Sequence, residues 1–190
     1  MINIPLVLQI FALINPLSSL PVLVAAYAKK MNVKEIAIQS TFIAFVVAIA
    51  IIFIGPFLFT IFNISIDAFR VAGGIILLLL SVNTVRRGSD ISAQADTVEA
   101  LTSLIATPLL TGPATISFLT IKTYELGAFT TVVNTIVAFA IVGVVFYFLS
   151  SLIPKINMRV VEILSRVLGL FLLAVAVGML ATGIKGIFEM

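Results

Sequence analysis

The sequence predicts an all-α membrane protein. Six transmembrane helices form a 3+3 inverted-topology repeat, with helices 1 and 4 broken at proline-containing motifs. Three observations predict this. Of 190 residues, 62% are hydrophobic and only 10% are charged, and the mean hydropathy is +1.30. A soluble domain is about half apolar and about a quarter charged, and one of this size has too little interior to hide the excess. The apolar runs exceed the roughly 18 residues that mark a membrane helix, and the alternating pattern of barrel strands is absent. Finally, a P-L-x-x-x-P motif occurs twice, at Pro16–Pro21 and Pro108–Pro113.

Composition also narrows the chemistry. The net charge of +3 does not mark a nucleic-acid binder, because the basic residues sit singly in short loops. Cysteine and histidine are absent. That excludes disulfides, thiolates and iron–sulfur clusters, and it removes the commonest proton shuttle and metal ligand. No metal site and no cofactor are expected, and no P-loop is present. Residues 2–28 lack a positive n-region and a small-residue cleavage site, and read as a retained span.

Span 1 runs from Ile4 to Ala28 and contains the first motif, Asn15-Pro16-Leu17-Ser18-Ser19-Leu20-Pro21. At ~1.5 Å per residue it reaches ~38 Å, enough for one crossing with an unwound middle and too short for two. A re-entrant hairpin is the alternative. Lys29, Lys30, Lys34 and Glu35 close the span. Span 2 runs from Ile36 to Phe62, where Gly55-Pro56 predicts a kink. Span 3, Ala68 to Val85, carries Arg70 and Gly73-Gly74. Span 4, Ala100 to Thr123, holds the second motif, and Lys122–Gly127 reads as a tight turn. Span 5 runs from Phe129 to Ile153, ended by Pro154, and span 6 from Val160 to Ile184. Residues 1–85 thus form one three-helix repeat, 86–98 a polar cytoplasmic linker and 99–190 the second repeat.

Charge sets the orientation. Lys29, Lys30, Lys34, Arg86, Arg87, Lys155 and Arg159 follow spans 1, 3 and 5. The lysine- and arginine-rich side is expected to be cytoplasmic. Both termini then lie outside the cell or inner membrane, with the bilayer as the protein's main partner.

The repeat extends beyond the prolines. Ser40–Phe45 matches Asn134–Phe139, and Arg70-Val71-Ala72-Gly73 matches Arg166-Val167-Leu168-Gly169. The separation between copies grows slightly from helix to helix, as small loop insertions produce. Two halves with an odd number of spans cross in opposite senses, which is a transporter architecture.

Each motif spells stop, polar turn, restart. Pro16 and Pro108 interrupt helical hydrogen bonding. Ser18 and Ser19 read as N-caps, with Thr111-Gly112 in that role in the second copy, and Pro21 and Pro113 suit a restarting first turn. Restarted helices aim free amide N–H groups and the positive dipole end into the break, which suits a carboxylate. Irregular backbone at this depth persists only around a cavity or within protein. Candidate substrate-binding residues are Asn15, Pro16, Ser18, Ser19, Thr107, Pro108, Thr111, Gly112 and Thr115. No acid lies at the centre of a span, so the expected ligand is a net-neutral zwitterion. Asp67 with Arg70 and Glu162 with Arg166 are spaced for local ion pairs, and as intramembrane charges they are candidates for coupling or gating. Ala174, Gly178, Thr182 and Gly186 form a small-residue stripe for a close helix contact, within the chain or between protomers of a homo-oligomer.

Four motifs in order carry a resemblance: Asn15-Pro16-Leu17 with Pro21, Phe69–Gly74, Thr107–Pro113 and Arg166–Leu170. Over essentially the whole chain the sequence resembles the MarC family of integral membrane proteins. That family includes the archaeal small neutral amino acid transporter SnatA and is grouped with the lysine-exporter superfamily. Ala114 stands where many relatives are expected to have glycine. The resemblance implies six spans and proton-coupled transport of small neutral amino acids such as glycine and alanine. Export of another small metabolite, or a non-saturable channel or scaffold, is the alternative. An intramembrane enzyme is not expected, because no base stands beside a serine and no carboxylates are paired centrally.

Overall fold

The computed structural model describes residues 2–87, 112–155 and 157–189. Its helices are α1 (Ile4–Ile14), α2 (Leu20–Ala28), α3 (Val33–Phe62), α4 (Ile66–Arg87), α5 (Pro113–Leu126), α6 (Ala128–Leu152) and α7 (Met158–Phe188). Short 3₁₀ turns cover Pro16–Ser19 and Ile153–Lys155. Among the described residues there is no strand. Five segments of the described residues are long and apolar enough to cross a membrane: Ile4–Ala28, Val33–Phe62, Ile66–Val85, Ala128–Leu152 and Arg159–Phe188. Of the fourth expected span only α5 and Gly112 are described. The linker beyond Arg87 and the residues up to Thr111 lie outside the described residues.

Local chemistry explains the helix ends. The Asn3 side chain accepts from the Leu6 amide, and Pro5 occupies the first turn of α1. Asn32 starts α3 by accepting from the Glu35 amide at 3.4 Å, and its own side-chain amide donates to the Glu35 carboxylate at 3.2 Å. Asn32 is thus the cap, and Glu35 holds its side chain in place. Asn63 ends α3 in the left-handed region with φ 49°. Gly127, at φ 82°, alone separates α5 from α6. The tight turn expected over Lys122–Gly127 is therefore helix up to Leu126, because glycine can reverse the chain in one residue. α3 continues from Val33 to Phe62 with Pro56 inside it.

The first span is the centre of the protein. Its apolar window is 65% buried, against 22–33% in the other four segments. Those four turn large apolar side chains such as Phe42, Leu79, Phe148 and Phe171 outward. Such a surface suits lipid and would be untenable in water. Leu13, Ile14, Leu20, Leu119, Phe139 and Leu172 belong to one buried core around the span.

Small residues set the closest approaches. α4 packs more extensively on α7 than on any other helix, and α3 packs on α6. Gly183 lies against Asp67, Arg70 and Val71, Gly73 against Met179, Gly74 against Leu180, and Gly169 against Thr84 and Val85. The order is antiparallel. Phe45 of α3 meets Phe139 of α6 edge to face, with centroids 5.5 Å apart. A β-carbon on Gly55 would sit 2.5 Å from Thr120 Oγ1, so glycine there lets α3 touch α5. The small-residue stripe on α7 divides. Gly186 abuts the Asp67 carboxylate within the chain, while a β-carbon on Gly178 would meet nothing within 4 Å among the described residues. The close contact expected of the whole stripe is therefore made at Gly186 and not at Gly178.

Candidate functional site

The interruption in the first span is built by Asn15 and Pro16. Asn15 takes φ 39° and ψ 70°, the left-handed region, and its amide still donates to the Phe11 carbonyl, closing α1. Asparagine tolerates this conformation better than other non-glycine residues. Pro16 has no N–H to donate, and the 3₁₀ turn follows. The Ser18 amide and hydroxyl both donate to the Asn15 carbonyl, at 3.0 and 2.8 Å. Ser18 is half-buried and thus serves its own turn. Ser19 has helical backbone angles, and its side chain caps nothing. The N-cap role expected of the two serines is not taken by either, because the 3₁₀ turn leads straight into α2 and supplies backbone partners instead.

The turn leaves two polar atoms orphaned. Asn15 Oδ1 and Ser19 Oγ are buried without a hydrogen-bond partner among the described residues, with Asn15 at 4% exposure, Ser19 at 0% and Pro16 also buried. An unsatisfied buried polar group costs about 1–3 kcal/mol. Each such group calls for an explanation.

At the second motif, Gly112 is extended, with ψ 176°, and offers no side-chain cap to α5. The amides of the first turn, including Ala114 and Thr115, have no helical acceptor by geometry. Gly112, Ala114, Thr115 and Ser117 are buried. The α5 start is therefore a buried, positive helix end with hydroxyls beside it. α1 packs against α5. Thr107, Pro108 and Thr111, expected to complete this side, lie outside the described residues.

The charged residues separate into two outcomes. Arg70 Nη1 reaches Asp67 Oδ1 at 2.6 Å, as the spacing predicts. Its Nη2 also reaches Glu125 Oε1 of α5 at 2.7 Å, and Lys122 Nζ holds Glu125 Oε2 at 2.7 Å. All four side chains are partly buried. By contrast, no ion pair joins Glu162 to Arg166 among the described residues. Arg166 faces outward and Glu162 is half-buried. Helical spacing permits the pair, but nothing on a neighbouring helix holds it. Glu125 and Lys122 have no place among the residues expected from sequence. Their signal was their type, two opposite charges one turn apart at the end of an apolar span. Thr135 Oγ1 and Ser165 Oγ are also buried without partners, hydroxyls inside apolar runs that the motif search passes over.

The family model described as MarC family integral membrane protein matches residues 2–188. The chain belongs to the MarC family. A UPF0056 membrane protein of Methanocaldococcus jannaschii is 30% identical over 94% of this chain and 93% of its own length. YvbG of Bacillus subtilis is 27% identical over 95% of this chain and 93% of its own, and YhcE of Escherichia coli 27% over 94% and 90%. Both are also UPF0056 membrane proteins. No solved structure matches. As a MarC family member with several apolar helices, the chain is an integral, multi-pass membrane protein.

Proposed function

We propose that this MarC family protein is a secondary transporter of small neutral amino acids such as glycine and alanine. It works by alternating access around breaks in helices 1 and 4 of a six-helix inverted repeat. One observation carries the reading: Asn15 Oδ1 and Ser19 Oγ stand unpartnered at an interruption of the most buried span. Polar atoms left bare at that depth suit a polar ligand that comes and goes. Their near-complete burial means that a ligand reaches them only when helices move, as alternating access requires.

The packing supports the inverted repeat. Helices matched by sequence lie against each other, α3 on α6 and α4 on α7, and both pairs run antiparallel. Antiparallel pairing of matched helices is what a pseudo-two-fold axis in the membrane plane would produce.

The substrate class rests on what the site lacks. The motif Asn15–Pro21 contains no acid, which favours a ligand without net positive charge. A buried helix start at Gly112 favours a carboxylate, and the family resemblance implies proton coupling. The reading includes a cell-membrane location, both termini outside, no enzyme activity, and a homo-oligomer as an open assembly state.

The test is uptake of labelled glycine or alanine by proteoliposomes. Wild type should accumulate label with saturable kinetics and counter-exchange, and Asn15→Ala or Thr111→Val should weaken uptake in folded protein. Uptake no better than empty liposomes for every small amino acid would sink the proposal, and non-saturable flux would make the protein a channel.

A further inference from the structure

We infer that a second pocket, walled by Gln9, Arg70, Phe118, Lys122, Glu125 and Thr182, is a binding site for a small zwitterion. Its role as an outer station for the substrate rests on the transport reading, whereas its chemistry does not.

The pocket has a volume of about 260 Å³. At about 30 Å³ per water it has room for roughly eight water-sized groups, enough for glycine or alanine with a few waters. Four helices converge on it: α1 through Gln9, α4 through Arg70, α5 through Phe118, Lys122 and Glu125, and α7 through Thr182. It therefore lies where the two halves of the chain meet, on the Asn3 side of the Asn15 interruption.

Charge decides what it takes. Asp67, Arg70, Glu125 and Lys122 form one chain of ion pairs at 2.6, 2.7 and 2.7 Å. Two acids and two bases sum to zero. A net-charged ligand would add an uncompensated charge to this partly buried cluster, which is costly. A zwitterion exchanges in without imbalance. Its carboxylate takes the place of Glu125 on Arg70 or Lys122, and its ammonium pairs with the freed Glu125 oxygen. These are charge-assisted bonds, the stronger kind.

The remaining wall fits the same ligand. The half-buried Gln9 amide makes no hydrogen bond among the described residues, although it sits in an apolar span. Thr182 spends its hydroxyl proton on the Gly178 carbonyl at 2.9 Å, and its oxygen remains an acceptor. Phe118 and Met179 supply apolar surface for a methyl group. Gly178 also lines the pocket, and a β-carbon there meets nothing within 4 Å, so the wall is open at that point.

The test is equilibrium binding of labelled alanine to the full chain in nanodiscs, which is independent of transport. Wild type should bind alanine at this site. Gly178→Leu should remove that binding while melting like wild type, because its β-carbon meets no described residue within 4 Å and the side chain grows into the pocket. Glu125→Gln leaves the cluster with one excess positive charge. Alanine should then bind about tenfold more weakly, from loss of a hydrogen bond to a charged group, and propionate, a carboxylate without an ammonium, should overtake it. Wild type that binds no alanine, Gly178→Leu that binds it undiminished, or an unchanged ranking of alanine over propionate in Glu125→Gln each overturns the site. Binding with this pattern but no uptake by liposomes leaves the site standing and removes the transport reading.

Discussion

Phe45 and Phe139 hold matching positions in the two sequence copies Ser40–Phe45 and Asn134–Phe139, and their rings touch, with centroids 5.5 Å apart at 62°. Under the inverted repeat proposed above, a pseudo-two-fold axis passes between them. Truncation tests the contact. Phe139 is buried, and Phe139→Ala should destabilise the protein by about 3 kcal/mol or more, from lost transfer energy and the cavity left behind. A thermal melt in detergent reads it, and an unchanged midpoint would mean that the α3–α6 contact contributes little.

Gly55 and Thr120 offer a steric test. A β-carbon on Gly55 would stand 2.5 Å from Thr120 Oγ1 and 2.7 Å from its Cγ2. Gly55→Ala should therefore cost about 1–3 kcal/mol, the range for overpacking. Adding Thr120→Ala removes the colliding atoms and should restore most of the loss. If the double variant melts no higher than the single one, α3 and α5 do not approach this closely.

The two orphaned groups of the interruption should respond differently to removal. Ser19→Ala deletes an unsatisfied buried hydroxyl and should raise stability by about 1 kcal/mol, while lowering amino-acid uptake. Asn15→Ala should lower both, because alanine in the left-handed region costs about 1–2 kcal/mol. Asn15→Gly should recover the stability and not the uptake. A Ser19→Ala variant that loses stability would show that the hydroxyl has a partner after all.

The stripe on α7 makes opposite predictions eight residues apart. Gly186→Val drives its side chain into the Asp67 carboxylate and should destabilise the α4–α7 contact by about 1–3 kcal/mol. Gly178→Ala meets nothing within 4 Å and should melt within about 0.5 kcal/mol of wild type or slightly above, since alanine is the better helix former. Equal effects at both positions would contradict the division of the stripe.

Much of this protein is local in origin and so readable along the chain. Hydropathy selects the bilayer as solvent, and the bilayer imposes helices because every backbone group must bond within its own segment. Pro16 lacks an N–H and Asn15 accepts a left-handed turn, so the interruption is written where it occurs. The two P-L-x-x-x-P motifs are visible because each keeps the same internal spacing. Tertiary structure decided what depends on which surfaces meet. Span 1 is central because the other helices wrap it. Arg70 is held by Glu125 of a distant helix as well as by its neighbour Asp67, whereas Arg166, four residues from Glu162, makes no ion pair among the described residues. Gly186 is a contact and Gly178 a pocket wall. Spacing along a helix says which side chains share a face, but only packing says what that face touches.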